Sequence, residues 1–486
     1  MKKRLLILFA LFCAVAALYA FVFLPKTLSG GQDAGGSVGE AASVARNTKA
    51  SRPKYIILFI GDGMSTPQRM IADEFSRRAG HGQLTLNTLP YHATTRTCSA
   101  SSLVTDSAAA ATAIACGEKT NNGRIGMDAA GVRKLESVAE VAKQKGKKVG
   151  IVTTVTINHA TPAGFYGHRK SRSEGYALGL DLVASGFDYF AGGGVAGSDD
   201  KKVPEYKGKS IYALAEEAGY TLTVGREALL ALKPGRKVFA RAEDNDKVMP
   251  YAIDGGEGLP TLAEFTAKGI ELLDNPNGFF MMIEGGKIDY AGHANDAATN
   301  LREVLGLDQA VRVALAFAAK HPDETLVVVT GDHETGGMAM GFAGTGYALY
   351  MDRLANQKCS VDAFAKMEKK ALTEKPELTF EEFKPVLTEK FGFLFDGKEA
   401  MSLKAAEIKE LEQAFLSDAQ TAKQPKWSSK LALTAKKLMS AKAGVGWSSG
   451  AHTALPVLTT SQGVGAESFT GFLDNTDLAK KLKSLL

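Results

Sequence analysis

The sequence predicts an α/β fold built around a mostly parallel central sheet. Short apolar runs, rich in β-branched and aromatic residues, are bounded by glycines, which is typical of buried strands. Stretches with helical spacing, such as TLAEFTAKGIELL at 261–273, alternate with these runs along the chain. This alternation favours a doubly wound parallel sheet. The three strongest strand candidates are KYIILFI (54–60), GFFMMI (278–283) and TLVVVT (325–330).

The other predicted elements continue the alternation. Hydrophobic periodicity between the first and second runs predicts three helices and two further strands. The helices are expected at about 65–79, 106–116 and 135–145, and the strands at 147–154 and 187–194. From about 345 to 440 the sequence changes to Lys, Glu, Ala and Leu with helical spacing, before Gly-rich sequence returns at 444–457. This change indicates a mainly helical insertion, whose charges favour a solvated helix face over a binding surface.

The composition is that of an ordinary globular protein. The chain has 486 residues, 45% of them hydrophobic, and is therefore long enough to bury a large core. Its formal net charge is +5, and Lys2, Lys3 and Arg4 contribute three of the positive charges. The remaining balance is too small for a surface that binds a polyanion, so the composition gives no support to nucleic-acid binding.

The N-terminus is predicted to be a targeting segment. Three basic residues precede an uninterrupted apolar stretch at 5–24, which ends at Pro25. A stretch of this length suits a bilayer-spanning anchor as well as a long signal-peptide core, so residues 1–24 are either a cleaved signal or an uncleaved anchor. Both interpretations predict an exported protein, periplasmic or at the cell surface, held in the inner membrane if the segment remains. Residues 25–51, rich in Gly, Ser and Ala, are expected to be a flexible linker before a catalytic domain at 52–486.

The part of the chain after the targeting segment contains three cysteines, Cys98, Cys116 and Cys359. An odd number permits at most one internal disulfide in an oxidising compartment. Cys98 and Cys116 are the nearer pair in sequence, but burial of all three as small hydrophobic side chains is an equally good interpretation.

Metal-type ligands follow each of the three apolar runs. In an open α/β sheet the binding site lies at the carboxyl ends of the strands, so these distant side chains are expected to share one crevice. Asp289 and His293 have the i, i+4 spacing that places both on one helix face, and His452 in the SSGAH turn adds an imidazole. With the adjacent Asp332 and His333, they make two sets of nitrogen and oxygen ligands suited to zinc. Two such sites about 3.5 to 4 Å apart would hold the attacking and the leaving oxygens of an in-line phosphoryl displacement. The ligands after the runs are Asp62, Glu284, Asp289, His293, Asp332 and His333.

Ser107 is the candidate nucleophile. It opens the Ala-rich helical stretch in VTDSAAAATAIACG at 104–117. On this evidence alone, an ordinary helix N-cap is the favoured interpretation of the Asp-Ser pair. A helix N-terminus also stabilises negative charge, so a serine there that faces a metal could be activated without a histidine base. The structural and catalytic interpretations are therefore compatible.

Two further residues suit phosphate chemistry. Thr161 could offer a hydroxyl to a hard cation alongside Asp62 and Glu284, since magnesium prefers oxygen ligands. Arg172 carries a planar guanidinium that could bind two phosphoryl oxygens. A lone Thr-Pro pair more often marks a turn, and a lone arginine is more often a surface charge, so both assignments depend on the other ligands.

The candidate residues stand in six motifs along the chain, which are FIGDGM (59–64), VTDSAAAATA (104–113), HATPAG (159–164) with Arg172, EGGKIDYAGH (284–293), TGDHETGG (330–337) and SGAHT (449–453). These motifs resemble those of the alkaline phosphatase family in content and in order. The resemblance covers about residues 54–475, with the predicted insertion as its loosest part. It implies an αβα sandwich, a phosphoserine intermediate and hydrolysis of small-molecule phosphate monoesters.

The resemblance also implies a role for each site residue. Ser107 corresponds to the nucleophile and Arg172 to the phosphate clamp, and the implied cofactors are two zinc ions and one magnesium ion. The implied ligands are Asp289, His293 and His452 for the zinc that serves water and the incoming phosphate, Asp62, Asp332 and His333 for the zinc at Ser107, and Asp62, Thr161 and Glu284 for magnesium.

His159 and Tyr290 depart from part of the family. His159 stands where some members have Asp, which makes it a candidate metal ligand or outer contact and leaves the identity of the third metal open. Tyr290 stands where some members have Lys or His, so a positive charge near the phosphate is absent. Because dimers are usual in the family, the resemblance adds a homodimer as a candidate assembly.

Phosphodiesterases and sulfatases, which use the same scaffold, are the nearest alternatives. Arg172 and the complete magnesium set favour monoesters, and the surroundings of Ser107 lack the Cys/Ser-x-Pro-x-Arg pattern of sulfatases. A surface-anchored protein that binds metal or phosphate without turnover is an alternative from another class. The presence of the nucleophile and of every expected ligand favours the enzyme over this binding protein.

Overall fold

The structure is a computed structural model that describes residues 52–486. The predicted targeting segment and linker lie outside the described residues. Within 52–486, no helix combines the length and the apolar character needed to cross a bilayer. The predicted limits of leader, linker and catalytic domain stay predictions.

A ten-stranded sheet forms the centre of the fold. Its strands are β1 (Tyr55–Gly61), β2 (Tyr91–Arg96), β3 (Lys148–Thr153), β4 (Tyr189–Gly192), β5 (Tyr220–Val224), β6 (Lys237–Arg241), β7 (Phe279–Gly285), β8 (Thr325–Gly331), β13 (Val457–Gly463) and β14 (Gly471–Asp474). The short strands β9 (Glu334–Thr335) and β10 (Met338–Met340) pair antiparallel with β12 (His452–Thr453) and β11 (Val445–Trp447). The order across the large sheet is β14-β2-β13-β8-β1-β7-β3-β4-β6-β5.

The middle of the sheet is parallel. Strands β8, β1, β7 and β3 run in the same direction, and the parallel pairing continues through β4, β6 and β5. Among the ten strands, only β13 runs in the opposite direction, and it pairs antiparallel with both of its neighbours, β8 and β2. Every residue of β1, β7 and β8 is buried, as expected for central strands covered on both faces.

Helices cover both faces of this sheet. They are α1 (Thr66–Arg78), α2 (Ser107–Cys116), α3 (Val138–Gln144), α4 (Ala160–Ala163), α5 (Gly175–Ser185), α6 (Ile211–Glu217), α7 (Arg226–Ala231), α8 (Leu262–Leu273), α9 (Lys287–His293), α10 (Ala297–Ala318), α11 (Val361–Glu374), α12 (Phe380–Phe391), α13 (Ala405–Thr421), α14 (Lys430–Ala443) and α15 (Asn475–Leu485). Short 3₁₀ turns lie at Thr85–Asn87, Ala252–Asp254, Met351–Asn356 and Ala466–Ser468.

Alternate residues of β1 enter two separate cores. Ile57 and Phe59 belong to one core together with residues of α8 and α10. Ile56 and Leu58 belong to the other, together with residues of α2, α3 and α15. Successive side chains of a strand point to opposite faces, so one buried strand supplies both cores. The predicted α/β fold, with a mostly parallel sheet between two helical layers, is confirmed.

The region from about 345 to 440 contains α11 to α13 and most of α14, which ends at Ala443. These helices share the core on the α8 and α10 side of the sheet. Phe364, Phe383, Leu411 and Phe415 are all buried in that core. The region is mainly helical, as its Lys, Glu, Ala and Leu pattern predicts.

A buried acidic pair lies among these helices. Glu368 on α11 and Asp418 on α13 are both completely buried. Ser429 Oγ donates a hydrogen bond to Glu368 Oε2, and the Leu431 backbone N–H donates to Asp418 Oδ2 at 2.8 Å. Burial, together with the nearby Asp418 carboxylate, raises the pKa of Glu368 to about 8. The proton that Glu368 holds below this pH spares the core two adjacent buried charges.

The Glu368→Gln variant is expected to be more stable than the wild type at pH 9, by on the order of 3 kcal/mol, because an amide never ionises. The folded pKa of Glu368 lies above its unfolded value, so its stabilising contribution is complete below about pH 4.5 and is lost as the pH rises to about 8. Denaturant unfolding at pH 4.5, 7 and 9 measures the difference. The exposed Glu412→Gln variant, on α13, is the matched control. A Glu368→Gln effect that does not grow with pH would contradict this account.

Cys98, Cys116 and Cys359 are free thiols in the part of the chain that the structure describes. Cys359 is buried and the other two are half-buried. Burial raises the pKa of the Cys116 and Cys359 thiols to about 12, which keeps both protonated and unreactive near neutral pH. The interpretation of these cysteines as small hydrophobic side chains agrees with this environment.

Candidate metal and phosphate site

The register of the central strands gathers the acidic ligands at one edge of the sheet. Ile60 near the end of β1 pairs with Glu284 on β7 and with Thr330 on β8. Asp62 and Asp332 each follow the last residue of their strand, so both carboxylates lie beside Glu284. The shared crevice that the three apolar runs predict is present.

Three groups of ligand atoms lie together, each group within 4.8 Å. Asp62 belongs to two of them, and all the ligand residues expected from the sequence are in or beside one of the three. The groups are Asp289, His293 and His452, then Asp62, Asp332 and His333, then Asp62, His159 and Glu284.

The first group lies at the mouth of the site. Nε2 of His293 is 3.4 Å and Nε2 of His452 is 3.5 Å from Asp289 Oδ1. Each histidine Nδ1 is 2.8 Å from a backbone carbonyl oxygen, that of Gly450 for His293 and that of Thr105 for His452. These carbonyls fix the ring orientations and leave both Nε2 atoms turned toward Asp289, as in a histidine metal ligand. Burial opposes ionisation of Asp289, but its histidine neighbours outweigh it and lower the pKa of this carboxyl.

The second group is completely buried. His333 Nε2 lies 3.3 Å from Asp62 Oδ1 and 3.3 Å from Asp332 Oδ2. Among the described residues, neither of these carboxylate oxygens has a hydrogen-bond partner. Burial and the Asp289 carboxylate raise the pKa of Asp332 to about 7, and burial lowers the pKa of His333. The His333 ring stacks on that of His452 with ring centroids 3.6 Å apart, which joins the first and second groups.

The third group surrounds the other oxygen of Asp62. His159 Nδ1 is 3.8 Å from Asp62 Oδ2 and 4.0 Å from Glu284 Oε1, and Thr161 Oγ1 donates to Asp62 Oδ2 at 3.3 Å. Thr153 Oγ1 donates to Glu284 Oε2. Burial and the Asp332 carboxylate raise the pKa of Glu284 to about 8, while burial and the nearby Arg172 lower that of His159 to about 3.

These donor sets suit cations. Burial of several carboxylates side by side is costly unless positive charge compensates it. Asp62, Glu284 and Asp332 each carry one buried oxygen that no group in residues 52–486 hydrogen-bonds, and His159 Nδ1 is in the same position. Unpartnered carboxylate and imidazole atoms that converge within a few ångströms are the donors that divalent metals use. The site can therefore hold metal ions.

Ser107 lies at the second group. It is the first residue of α2 and is almost completely buried, and its Oγ is 3.2 Å from His333 Nε2. The helix cap is Asp106, whose Oδ1 accepts a hydrogen bond from the Ala109 N–H at 3.0 Å. Because Asp106 caps the helix, the Ser107 hydroxyl is left free to face the metal ligands. The structure thus assigns the cap and the candidate nucleophile to adjacent residues.

Arg172 lies beside the third group. Its Nη1 donates to Asp106 Oδ2 at 3.1 Å, and its Nη2 is 3.0 Å from His159 Nε2. Asp106 thus caps α2 with one oxygen and orients the guanidinium with the other. The Tyr290 ring faces His159 edge-on at 6.0 Å between centroids, and burial raises the pKa of its hydroxyl to about 12.

Sequence reasoning missed the residues that hold the ligands in place. Thr335 Oγ1 donates to Asp289 Oδ1 at 2.5 Å. The buried Glu334 carboxylate accepts hydrogen bonds from Gln68, from Thr453 Oγ1 and from the Gly337 and Met338 backbone, and so ties β9 to β12 next to His452. The only available signal was position, since Glu334 and Thr335 immediately follow His333.

Comparison with known proteins shows similarity over nearly all of the described chain. The family model described as Alkaline phosphatase matches residues 53–486. Alkaline phosphatase 4 of Bacillus subtilis (strain 168) is 30% identical over 513 residues, which cover 100% of this chain and 97% of that protein.

Solved structures of alkaline phosphatases share the fold. The cold-active enzyme from the psychrophile Shewanella sp. matches with a TM-score of 0.75 and 29% identity, over 89% of this chain and 99% of that one. A histidine-to-glutamate variant of TAB5 alkaline phosphatase, solved with Mg bound in its M3 site, matches with a TM-score of 0.62 and 26% identity, over 90% and 99%.

Proposed function

This chain belongs to the alkaline phosphatase family of enzymes, and we propose that it hydrolyses phosphate monoesters through a phosphoserine intermediate on Ser107. The observation that carries the proposal is the position of Ser107 Oγ, 3.2 Å from His333 Nε2 and at the N-terminus of α2. A nucleophile, a cluster of metal ligands and an arginine converge there, which is the set of groups that phosphoryl transfer needs. The first step forms a bond from Ser107 Oγ to phosphorus and breaks the bond to the leaving oxygen.

Each side chain has a distinct part in this reaction. Arg172 binds two non-bridging phosphoryl oxygens and holds the phosphorus in line with Ser107 Oγ, in an orientation set by Asp106. The N-terminus of α2 stabilises negative charge on the reacting oxygens. In this step the Ser107 hydroxyl proton passes to solvent and the leaving oxygen takes a proton from solvent, so the product departs as the alcohol. Water then attacks phosphorus, the bond from Ser107 Oγ to phosphorus breaks, Oγ regains a proton, and inorganic phosphate is released. Zinc, when bound, supplies Lewis-acid charge and lowers the pKa of oxygen nucleophiles.

We propose zinc for the first and second groups and magnesium for the third. Asp289, His293 and His452 offer one carboxylate and two imidazoles, a zinc-type set, and Asp62, Asp332 and His333 offer two carboxylates and one imidazole. Asp62, Glu284 and Thr161 offer oxygens, which magnesium prefers. His159 adds a nitrogen to this third group, so zinc is the competing ion there. Elemental analysis of the isolated protein distinguishes two zinc and one magnesium ion from three zinc ions.

We propose monoesters as the substrate class, ahead of diesters and sulfate esters. A monoester presents three non-bridging oxygens and up to two negative charges, whereas a diester presents two such oxygens and one charge. The Arg172 guanidinium, held by Asp106 and His159 beside the metal-type ligand groups, therefore favours the monoester. The alternative of metal or phosphate binding without turnover is disfavoured because Ser107 lies against the ligand His333.

We also propose export of the protein by the segment at 1–24, whose basic start and apolar core suit a signal or an anchor. N-terminal sequencing of the protein from the producing cell distinguishes the cleaved form from the anchored one. We further propose a homodimer, and light scattering of the purified protein tests it.

Hydrolysis assays on the full-length protein test the proposed function. We expect turnover of 4-nitrophenyl phosphate, little turnover of bis(4-nitrophenyl) phosphate, loss of activity on chelation, and recovery when zinc and magnesium return. A preference for the diester would assign the chain to phosphodiesterase chemistry. Bound zinc without turnover of either ester would leave a binding protein.

A further inference from the structure

A groove of about 540 Å³ lies beside the first ligand group. We call it the Trp447 groove, and its walls include Asn295, Phe342, Lys436, Lys437, Trp447 and Ser448. Its volume falls within the range of natural small-molecule sites, of about 300 to 1,000 Å³.

The walls of the groove continue directly into the segments that hold two metal-type histidines. Asn295 lies two residues after His293, and Trp447 and Ser448 begin the turn that leads to His452. The turn is bonded to the end of α9, because the Gly450 carbonyl oxygen is 2.8 Å from His293 Nδ1. The His293 side chain is 41% exposed, so the mouth of the phosphate site is open here.

The groove is both cationic and aromatic. Lys436 and Lys437 line it, and no Asp or Glu is found among its lining residues within the described chain. The Lys437 side chain is 69% exposed, and its one acidic partner, Glu410 at 2.8 Å, is itself 43% exposed, so solvent weakens this ion pair. Phe342 and Trp447 present rings to the same space, with Phe342 36% exposed. A flat ring with a negative charge complements this combination.

We propose that the Trp447 groove binds the leaving group of the substrate, and that it favours aromatic leaving groups that carry a negative charge. This inference rests on the proposed function. In-line attack expels the leaving oxygen on the side of phosphorus away from Ser107. Because Ser107 lies at the second ligand group, and the His333 ring of that group stacks on His452, the first group with His293 and His452 is the neighbour that the leaving oxygen would approach. A leaving group that extends past these histidines meets the groove, where its ring packs on the aromatic wall and its anion approaches Lys437.

Two matched substrates test the proposal, 4-carboxyphenyl phosphate and its neutral analogue 4-carbamoylphenyl phosphate. The ratio of their kcat/KM values isolates the charge on the leaving group. We expect the Lys437→Glu variant to lower this ratio about 5- to 10-fold, and high salt to lower the wild-type ratio, since exposed charges are screened. The control is Lys370→Glu on α11, because Lys370 is 74% exposed and also has an acidic neighbour, Glu374 at 3.8 Å. A wild-type ratio in Lys437→Glu, or an equal fall in both variants, would overturn the proposal.

A binding measurement separates failure of this proposal from failure of the proposed function. The chain has two tryptophans, so a Trp427→Phe background leaves Trp447 as the single reporter. We expect 4-hydroxybenzoate, the alcohol product of the anionic substrate, to quench Trp447 fluorescence more than 4-hydroxybenzamide does, and the difference to vanish in Lys437→Glu. Equal quenching by the two alcohols would overturn the groove assignment even if the enzyme hydrolyses monoesters. The predicted difference would support it even if neither phosphate is turned over.

Discussion

Replacement of Ser107 by alanine is expected to lower kcat/KM for 4-nitrophenyl phosphate by about 1,000-fold or more, with metal content unchanged. The reason is that Ser107 Oγ is the atom that would form the covalent bond to phosphorus, and the variant leaves all the carboxylate and imidazole ligands in place. Turnover assays and elemental analysis of the same preparation measure the two quantities. In the wild type, rapid quenching with radiolabelled phosphate should trap label on Ser107, and in the variant it should not.

Ser137 provides the control for a purely structural role. It is as deeply buried as Ser107, and it caps α3 by accepting a hydrogen bond from the Glu140 N–H at 3.1 Å. The Ser137→Ala variant is expected to lose about 1 kcal/mol of stability and to keep its turnover. If Ser107→Ala instead behaved like Ser137→Ala, less stable but active, Ser107 would be a structural residue and the phosphoserine would be excluded.

Removal of metal is expected to lower the melting temperature of the protein by about 10 °C or more. Without cations, three buried carboxylates, those of Asp62, Glu284 and Asp332, face one another with one unpartnered oxygen each among the described residues. Ions that bind the folded chain stabilise it in proportion to the logarithm of their concentration over their dissociation constant. Calorimetry before and after chelation, and again after zinc and magnesium are restored, measures the change.

The Asp332→Asn variant sharpens this test. It removes one of the repelling charges, so its metal-free form is expected to melt above the metal-free wild type, although its metal-loaded form melts below the loaded wild type. The difference between the metal-loaded and the metal-free melting temperature should therefore be smaller in Asp332→Asn than in the wild type. An unchanged wild-type melting temperature on chelation would mean that these carboxylates are stabilised by protons and not by ions.

The central strands were predictable because each is a continuous apolar run that ends in glycine. β1, β7 and β8 need no knowledge of their neighbours to be recognised, since burial on both faces gives each an uninterrupted apolar run with polar residues only near its ends. β2 was not predictable in this way, because YHATTR is polar and only two of its six residues are buried. Its place in the sheet depends on antiparallel pairing with β13, more than 360 residues later, and local sequence carries no record of that partner.

The residues of the candidate site also fall into those that the sequence predicts and those that it does not. Residues that would touch an ion or the phosphate stand in motifs whose chemistry is evident from residue type, as for Asp332 and His333. Residues that position them are visible only in three dimensions. The sequence pattern predicts that Asp106 can cap α2, which it does through Oδ1. The hydrogen bond from Arg172 to its Oδ2 could not be predicted, because it forms only when the fold brings α2 next to the loop after α4.

Asp62 is shared by two of the three ligand groups, and this sharing links the two groups. Its Oδ1 faces His333 in the second group, and its Oδ2 faces Thr161 and His159 in the third. An ion that binds one oxygen fixes the rotamer of the carboxylate and neutralises part of its charge, so it alters the free energy with which the second ion binds. Such coupling is reciprocal by thermodynamic necessity. We therefore expect metal binding at the second and third groups to be coupled through this single side chain, so that the abundance of one ion in the surroundings alters the apparent affinity for the other.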